Sequence, residues 1–238
     1  MRIPPISGES GTSLLELMGA MVAGLVVLGA TLQSLSYFQQ EFSRQRDRIT
    51  QHQDLRLGLE LLEQELRLGG YGSLSVILPD AIEFTANIHG LVTNVATGSM
   101  IGQTTLAVND GRGWPERKLV QICWNEQCQQ YTLARNGQRN LLTLVEPITQ
   151  AIPAGASVSV INRLRYYSRT DDRGLLRLLR QIDGGAGVLI GNIEAVSFSY
   201  WTERGHRTTQ QALVRRIVVE ISLLHPAVRE RREISFRT

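Results

Sequence analysis

The stretch Leu17-Met18-Gly19-Ala20-Met21-Val22-Ala23-Gly24-Leu25-Val26-Val27-Leu28-Gly29-Ala30-Thr31-Leu32, continued by Gln33-Ser34-Leu35-Ser36-Tyr37-Phe38-Gln39-Gln40, decides how the chain is organised. No Asp, Glu, Lys or Arg stands between Glu16 and Glu41, which leaves 24 residues without formal charge. A hydrocarbon core of ~30 Å needs about 20 helical residues at ~1.5 Å each. The stretch meets that length, and its apolar residues fall on every face of a helix. It therefore predicts a membrane-spanning helix. Polar residues gather at its end, so the most apolar part closes near Leu32. That shorter part also fits the core of a secretory signal peptide. Against this, the preceding residues hold one basic side chain, Arg2, and an acidic one, Glu9, and no small-x-small cleavage site stands clear before a new domain. A buried helix of a soluble protein is the remaining alternative, and an all-round apolar surface argues against it.

Glu16 sits directly before this span. A carboxylate costs about 2.5–3.5 kcal/mol at the centre of a membrane helix and less near its end. Glu16 reads either as a boundary residue at headgroup level or as an ion-pair partner inside an assembly. The segment Gly11-Thr12-Ser13-Leu14-Leu15-Glu16-Leu17-Met18, followed by an apolar helix, resembles the class III signal of type IV prepilins and pseudopilins. That family carries a short leader ending in Gly, then an aromatic residue or Met, Ser/Thr, Leu, any residue, Glu and a long apolar run. The resemblance implies cleavage after Gly11 by a prepilin peptidase on the cytoplasmic side and methylation of the new N-terminus at Thr12. It also implies that Glu16 pairs with a neighbouring subunit's N-terminal amine during filament assembly. Thr12 stands where the family usually has Phe or Met. Arg44, Arg46 and Arg48 follow the span, and counting positive charges alone favours the opposite orientation.

Residues 41–68 contain no Pro and one Gly, Gly58. Leu55, Leu59, Leu62 and Leu66 recur at helical spacing, and Leu57, Leu61 and Leu68 are expected to widen the stripe. Arg56, Glu60, Glu63, Glu65 and Arg67 fall largely between the leucines. This predicts an amphipathic continuation of the same helix, closed by Gly69-Gly70. Residues 12–68 would then form one helix of roughly 85 Å at 1.5 Å per residue. The run Arg56 through Gly70 to Tyr71 resembles the helix end of PilW-like minor pilins. So does the later order of Arg165-Tyr166-Tyr167, Gly174-Leu175-Leu176-Arg177, residues 191–200 and Val214-Arg215-Arg216-Ile217.

After Tyr71 the pattern shifts toward period two. Strands are expected at 82–85, 119–124, 131–133, 142–145, 158–161, 193–200 and 213–223, with turns at Asp110-Gly111, Asn136-Gly137, Asp171-Asp172-Arg173-Gly174, Asp183-Gly184-Gly185 and Arg204-Gly205. Residues 98–103 and 110–116 read as exposed loops, and 69–75 as a hinge. Arg229, Arg231 and Arg232, beside Glu230 and Glu233, read as a solvated edge strand or as a docking segment for another subunit. If Asn125-Glu126 is a two-residue hairpin turn, Cys123 faces Cys128 at a non-hydrogen-bonded pair, which accepts a disulfide. Two reduced buried thiols are the alternative.

The fold class expected is α+β: a pilin-like long N-terminal helix, membrane-spanning in its first half, packed on a largely antiparallel sheet. The expected organisation is a leader at 1–11, a transmembrane and assembly helix at 12–40, its amphipathic continuation at 41–70, and a periplasmic β-rich domain at 71–238. The 238 residues carry a net charge of +3, too small an excess to imply nucleic-acid binding without a basic face. The histidines form no zinc signature, and no nucleophile elbow, phosphate loop or dinucleotide fingerprint occurs. Asp171-Asp172 and Asp183 suit calcium in a loop, but the EF-hand spacing is missing. No cofactor, no metal and no enzyme activity are expected. The resemblance implies a minor pilin or pseudopilin of a type IV pilus or type II secretion pseudopilus. Its partners would be the prepilin peptidase, other minor and major pilins or pseudopilins, and the inner-membrane assembly platform. A membrane-anchored periplasmic binding or envelope protein with an uncleaved signal anchor is the alternative from another class.

Overall fold

The computed structural model describes residues 14–70, 72–224 and 228–236. The chain divides into two units, Met1–Thr50 and Gln51–Thr238. Helix α1 runs Leu14–Gly69. Gly70 follows it with φ +69°, and its amide donates to the Leu66 carbonyl at 3.2 Å. A residue in this left-handed conformation, most easily a glycine, ends a helix because it turns the chain off the helical path. The Ser73 hydroxyl donates to the Gly70 carbonyl at 2.9 Å, which ties the exit down.

Twelve strands follow: β1 Leu74–Ile77, β2 Ala81–Ala86, β3 Val92–Asn94, β4 Thr105–Ala107, β5 Leu119–Trp124, β6 Gln127–Thr132, β7 Leu141–Thr143, β8 Ser157–Thr170, β9 Leu176–Ile182, β10 Gly185–Trp201, β11 Arg216–Leu223 and β12 Arg229–Ser235. All pair antiparallel. The main path is β1-β2-β8-β9-β10-β11-β12, so β12 is an edge strand. Strand β8 serves two neighbourhoods. Its residues 157–161 pair with β3 and β5, and residues 162–170 pair with β2 and β9.

Two hydrophobic cores result. One joins Leu55, Leu59, Leu62 and Leu66 of α1 to residues of the main sheet, including Phe84, Leu164, Tyr166, Ile217 and Ile234. The other gathers Val95, Leu106, Trp114, Val120, Ile122, Leu133, Leu142 and their neighbours around the first part of β8. Val158 and Val160 enter the second core, and Leu164 and Tyr166 the first. The alternation of one long strand therefore holds the two lobes together.

The α+β architecture, with one long apolar N-terminal helix and a large antiparallel sheet, is present. Several details differ from expectation. Leu57 and Leu68 do not widen the buried stripe; they are 64% and 59% exposed. At about 100° per residue, Leu57 lies on the far side of the helix from Leu55. Residues 98–103 and 110–116 are not simply exposed loops, because Ser99, Gly111 and Trp114 are buried. The expected strand at 213–223 begins only at Arg216, after a 3-10 turn at Gln211–Leu213. Strands β1, β3, β4 and β9 were not anticipated. In β9, Leu-Arg-Leu-Leu-Arg-Gln-Ile has residues of good helix propensity, but pairing on both edges with β8 and β10 overrides it.

Candidate membrane and assembly helix

Within the unit Met1–Thr50, α1 exposes large apolar side chains all round. Leu17, Met18, Met21, Val22, Leu25, Val26, Val27, Leu28 and Leu32 are all exposed, and Leu25–Leu28 are four consecutive positions that cover every face. A water-soluble surface rarely carries so large a continuous apolar area. By length and composition α1 is the one described helix able to cross a membrane.

Two of its hydroxyls bond back to the helix itself. The Thr31 hydroxyl donates to the carbonyls of Val27 at 2.8 Å and Leu28 at 2.9 Å, and Ser36 donates to Leu32 at 3.0 Å. Hydroxyls that bond back to their own helix leave no unsatisfied donor for a hydrocarbon environment. Tyr37, Phe38 and Phe42 cluster where the apolar run ends, and the Tyr37 and Phe38 rings meet edge-on at 6.2 Å. Tyr37, with its polar hydroxyl, is the amphipathic ring among them and favours the level of the headgroups. The aromatic group was visible in the sequence beside Gln39 and Gln40, and sequence reasoning passed over it. Just beyond, Glu41 pairs with Arg44 at 2.9 Å.

Glu16 lies in the first turn of α1 and is exposed. A carboxylate there is favoured by the positive end of the helix dipole. Gly11 and Thr12, the expected processing positions, lie outside the described residues, as does Tyr71. Gly19, Gly24 and Gly29 have open space where a side chain would point, and at five-residue steps they lie about 140° apart, on different faces of the helix.

Within the unit Gln51–Thr238 the same helix is fixed to the sheet. Leu55, Leu59, Leu62 and Leu66 are at most 1% exposed. Gly58 is buried against β10, where a Cβ would lie 2.6 Å from Ile190 Cγ1. Glu65 is buried on the same face. It accepts hydrogen bonds from the Tyr166 hydroxyl and from the Arg180 guanidinium, the latter through Nε at 2.9 Å and through Nη2. Burial, and then the Glu65 carboxylate, push the Tyr166 phenol well above its ordinary value. The hydrogen bonds that Arg180 donates to Glu65 raise its guanidinium above the ordinary value. Sequence reasoning placed Glu65 with the solvent-facing charges. The available signal was its position, three residues after Leu62 and one before Leu66 on the leucine face.

A disulfide joins Cys123 and Cys128. The two residues face each other across β5 and β6 with Cα atoms 4.1 Å apart. Asn125 and Glu126 form the two-residue turn, with φ of 46° and 64°. Two positive φ angles match the right-handed twist of a tight hairpin. Asp171 and Asp183 lie at opposite ends of β9, and each is engaged. Asp171 accepts from the amides of Arg173 and Leu175, and Asp183 pairs with Lys118 at 2.6 Å. On the edge strand, Arg229 and Arg231 reach Glu220 of β11, and Glu233 reaches Arg216. No protein-family model, no curated protein and no solved structure matches this chain.

Proposed function

We propose that this chain is a minor pilin or pseudopilin, a structural subunit of a type IV pilus or type II secretion pseudopilus. The carrying observation is an all-round apolar helix with a single carboxylate, Glu16, in its first turn, five residues after Gly11. In this reading prepilin peptidase cleaves after Gly11 and Thr12 becomes the methylated N-terminus. The helix then resides in the inner membrane before it enters a helical bundle. Glu16 sets register by pairing with a neighbour's terminal amine, and the sheet domain contacts other subunits in the periplasm. The low-dielectric surroundings of a helical bundle strengthen such a charge pair and make mispairing costly. Each of the glycines at 19, 24 and 29 leaves room for a neighbouring helix on its own side.

The test is Glu16→Val in the native host. Membrane insertion is expected to be unchanged, because the substitution makes the helix more apolar. Incorporation into pili or pseudopili is expected to fall sharply, as read by sheared-filament fractions. Normal incorporation of the variant contradicts the role assigned to Glu16.

A further inference from the structure

A cleft of ≈ 470 Å³ opens between the two lobes, where the outer face of the main sheet meets the start of β5. Its floor is a cross-strand row on β2, β8 and β9: Glu83, Arg165 and Gln181 are direct partners. Arg163 lies two residues before Arg165 on the same face of β8. Arg117 and Lys118 form the wall from the smaller lobe, and Asp183 and Gly184 close one end.

The charges of this cleft do not balance. Four cations, Arg117, Lys118, Arg163 and Arg165, face two carboxylates, Glu83 and Asp183. Asp183 is used up by Lys118 at 2.6 Å, by the Asn162 side-chain amide at 2.8 Å and by the Arg163 backbone amide at 2.8 Å. Lys118, Asn162 and the Arg163 amide hold its carboxyl below the usual range against the opposing effect of burial. Glu83 approaches Arg163 at 3.6 Å and also accepts from Ser75. Arg117 and Arg165 have no carboxylate within ion-pair distance among the described residues. Arg165 is instead held over the Tyr167 ring at 5.0 Å, which fixes its guanidinium while leaving its donors available.

Arg117 is held in a turn. Its φ is +62°, a left-handed conformation that is strained for a residue with a Cβ and costless for glycine. The backbone is locked there by an amide hydrogen bond to the Leu133 carbonyl at 2.8 Å. Asn125, Glu126, Asp183 and Asn192 hold the same left-handed conformation, so it marks Arg117 as a turn residue whose side chain is set by that turn.

The geometry points to a docking cleft for an acidic, extended protein segment, bound through carboxylates by Arg117 and Arg165. Guanidinium groups on separate lobes suit carboxylates spaced along a chain, since alternate side chains of an extended segment lie about 7 Å apart on one side. An enclosed site for a small anion would instead gather its donors around one point. This inference does not depend on what the membrane helix does.

The experiment is fluorescence anisotropy of a labelled, glutamate-rich peptide against the full chain in an uncharged detergent. Binding is expected, and is expected to weaken as salt rises. Arg165→Gln and Arg117→Gly are each expected to weaken it about tenfold, the effect of losing one charged hydrogen-bonding partner. Arg204→Gln, which removes the same charge from a turn outside the cleft, is expected to leave affinity unchanged. Arg117→Gly relieves the turn, so its melting temperature is expected to be equal or higher, and a loss of binding cannot then be assigned to misfolding. Equal affinity of the cleft variants and Arg204→Gln overturns the proposal. So does displacement of the peptide by inorganic phosphate or by a single-stranded oligonucleotide at lower concentration than unlabelled peptide. Failure of the pilin reading would show in processing and filament incorporation, not in this binding.

Discussion

The two parts of α1, before and after Thr50, share one backbone and differ in everything their side chains do. Leu25 is 69% exposed, and Leu62 is 0% exposed. Thr31 and Ser36 satisfy their hydroxyls on their own helix, whereas Glu65 reaches strands β8 and β9 through Tyr166 and Arg180. Gly24 has nothing near it, and Gly58 has the Ile190 side chain. The difference teaches that the first part, up to Gln40, presents apolar side chains on every face, as a lipid environment demands, while the part after Thr50 is specified by the sheet it covers.

The largest contrast is expected from paired leucine truncations. Leu62→Ala removes a fully buried side chain and is expected to destabilise the sheet domain by about 2–5 kcal/mol. Leu25→Ala is expected to change the same quantity by less than ~0.5 kcal/mol. Denaturant unfolding of the full chain in detergent, followed by tryptophan emission, reads both. Equal losses would break the comparison.

Next in size is the polar anchor. Glu65→Ala leaves Arg180 and Tyr166 without their acceptor and is expected to cost about 3 kcal/mol. That is the low end for a buried pair, because Arg180 keeps about a quarter of its side chain in water. Two buried phenols, Tyr166 of the anchor and Tyr200, whose hydroxyl donates to the Leu78 and Ala81 carbonyls, set an alkaline limit. Tyr166 and Tyr200 are both raised above the ordinary phenol value of 10.0, chiefly by burial. A raised phenol is protonated in the fold while the unfolded chain ionises first. Its stabilisation is therefore complete below about pH 10 and is lost as pH rises toward the folded values. Unfolding free energy is expected to fall above pH 10, by up to ~1.4 kcal/mol per pH unit for each tyrosine. Tyr166→Phe is expected to reduce that slope, and a slope unchanged by the substitution would contradict the assignment.

The smallest effect separates the glycines. Gly58→Ala gains helix propensity but drives a Cβ into Ile190, with a net loss of about 1–2 kcal/mol expected. Gly24→Ala meets open space and is expected to leave domain stability unchanged. Thermal melts of both variants check this.

What was legible in the sequence follows the strength of the local period. The apolar run, the leucine stripe at 55, 59, 62 and 66, and the Asn125-Glu126 turn all carry a pattern set by backbone geometry, and each is found where the pattern puts it. The second core was legible in part: strands were expected at 119–124, 131–133, 142–145 and 158–161, and β5, β6, β7 and the start of β8 lie there. Its strands β3 and β4 were missed because three residues are too short for any period, and lone bridges such as Ser99 to Ile152 complete the core. The Glu65 anchor escaped because its partners lie 101 and 115 residues away. Arg117 escaped because the residues that share its cleft lie on three other strands, β2, β8 and β9. The edge strand β12 was anticipated among two alternatives from its run of mixed charges, which suits an edge that must not pair further.

The central claim is that α1 begins as a processed prepilin helix. Intact mass of the chain purified from the membrane fraction of its native host tests it most directly. The account predicts loss of residues 1–11 and one added methyl group, with Thr12 as the new N-terminus. An uncleaved N-terminus, or cleavage beyond Ala30, would contradict it.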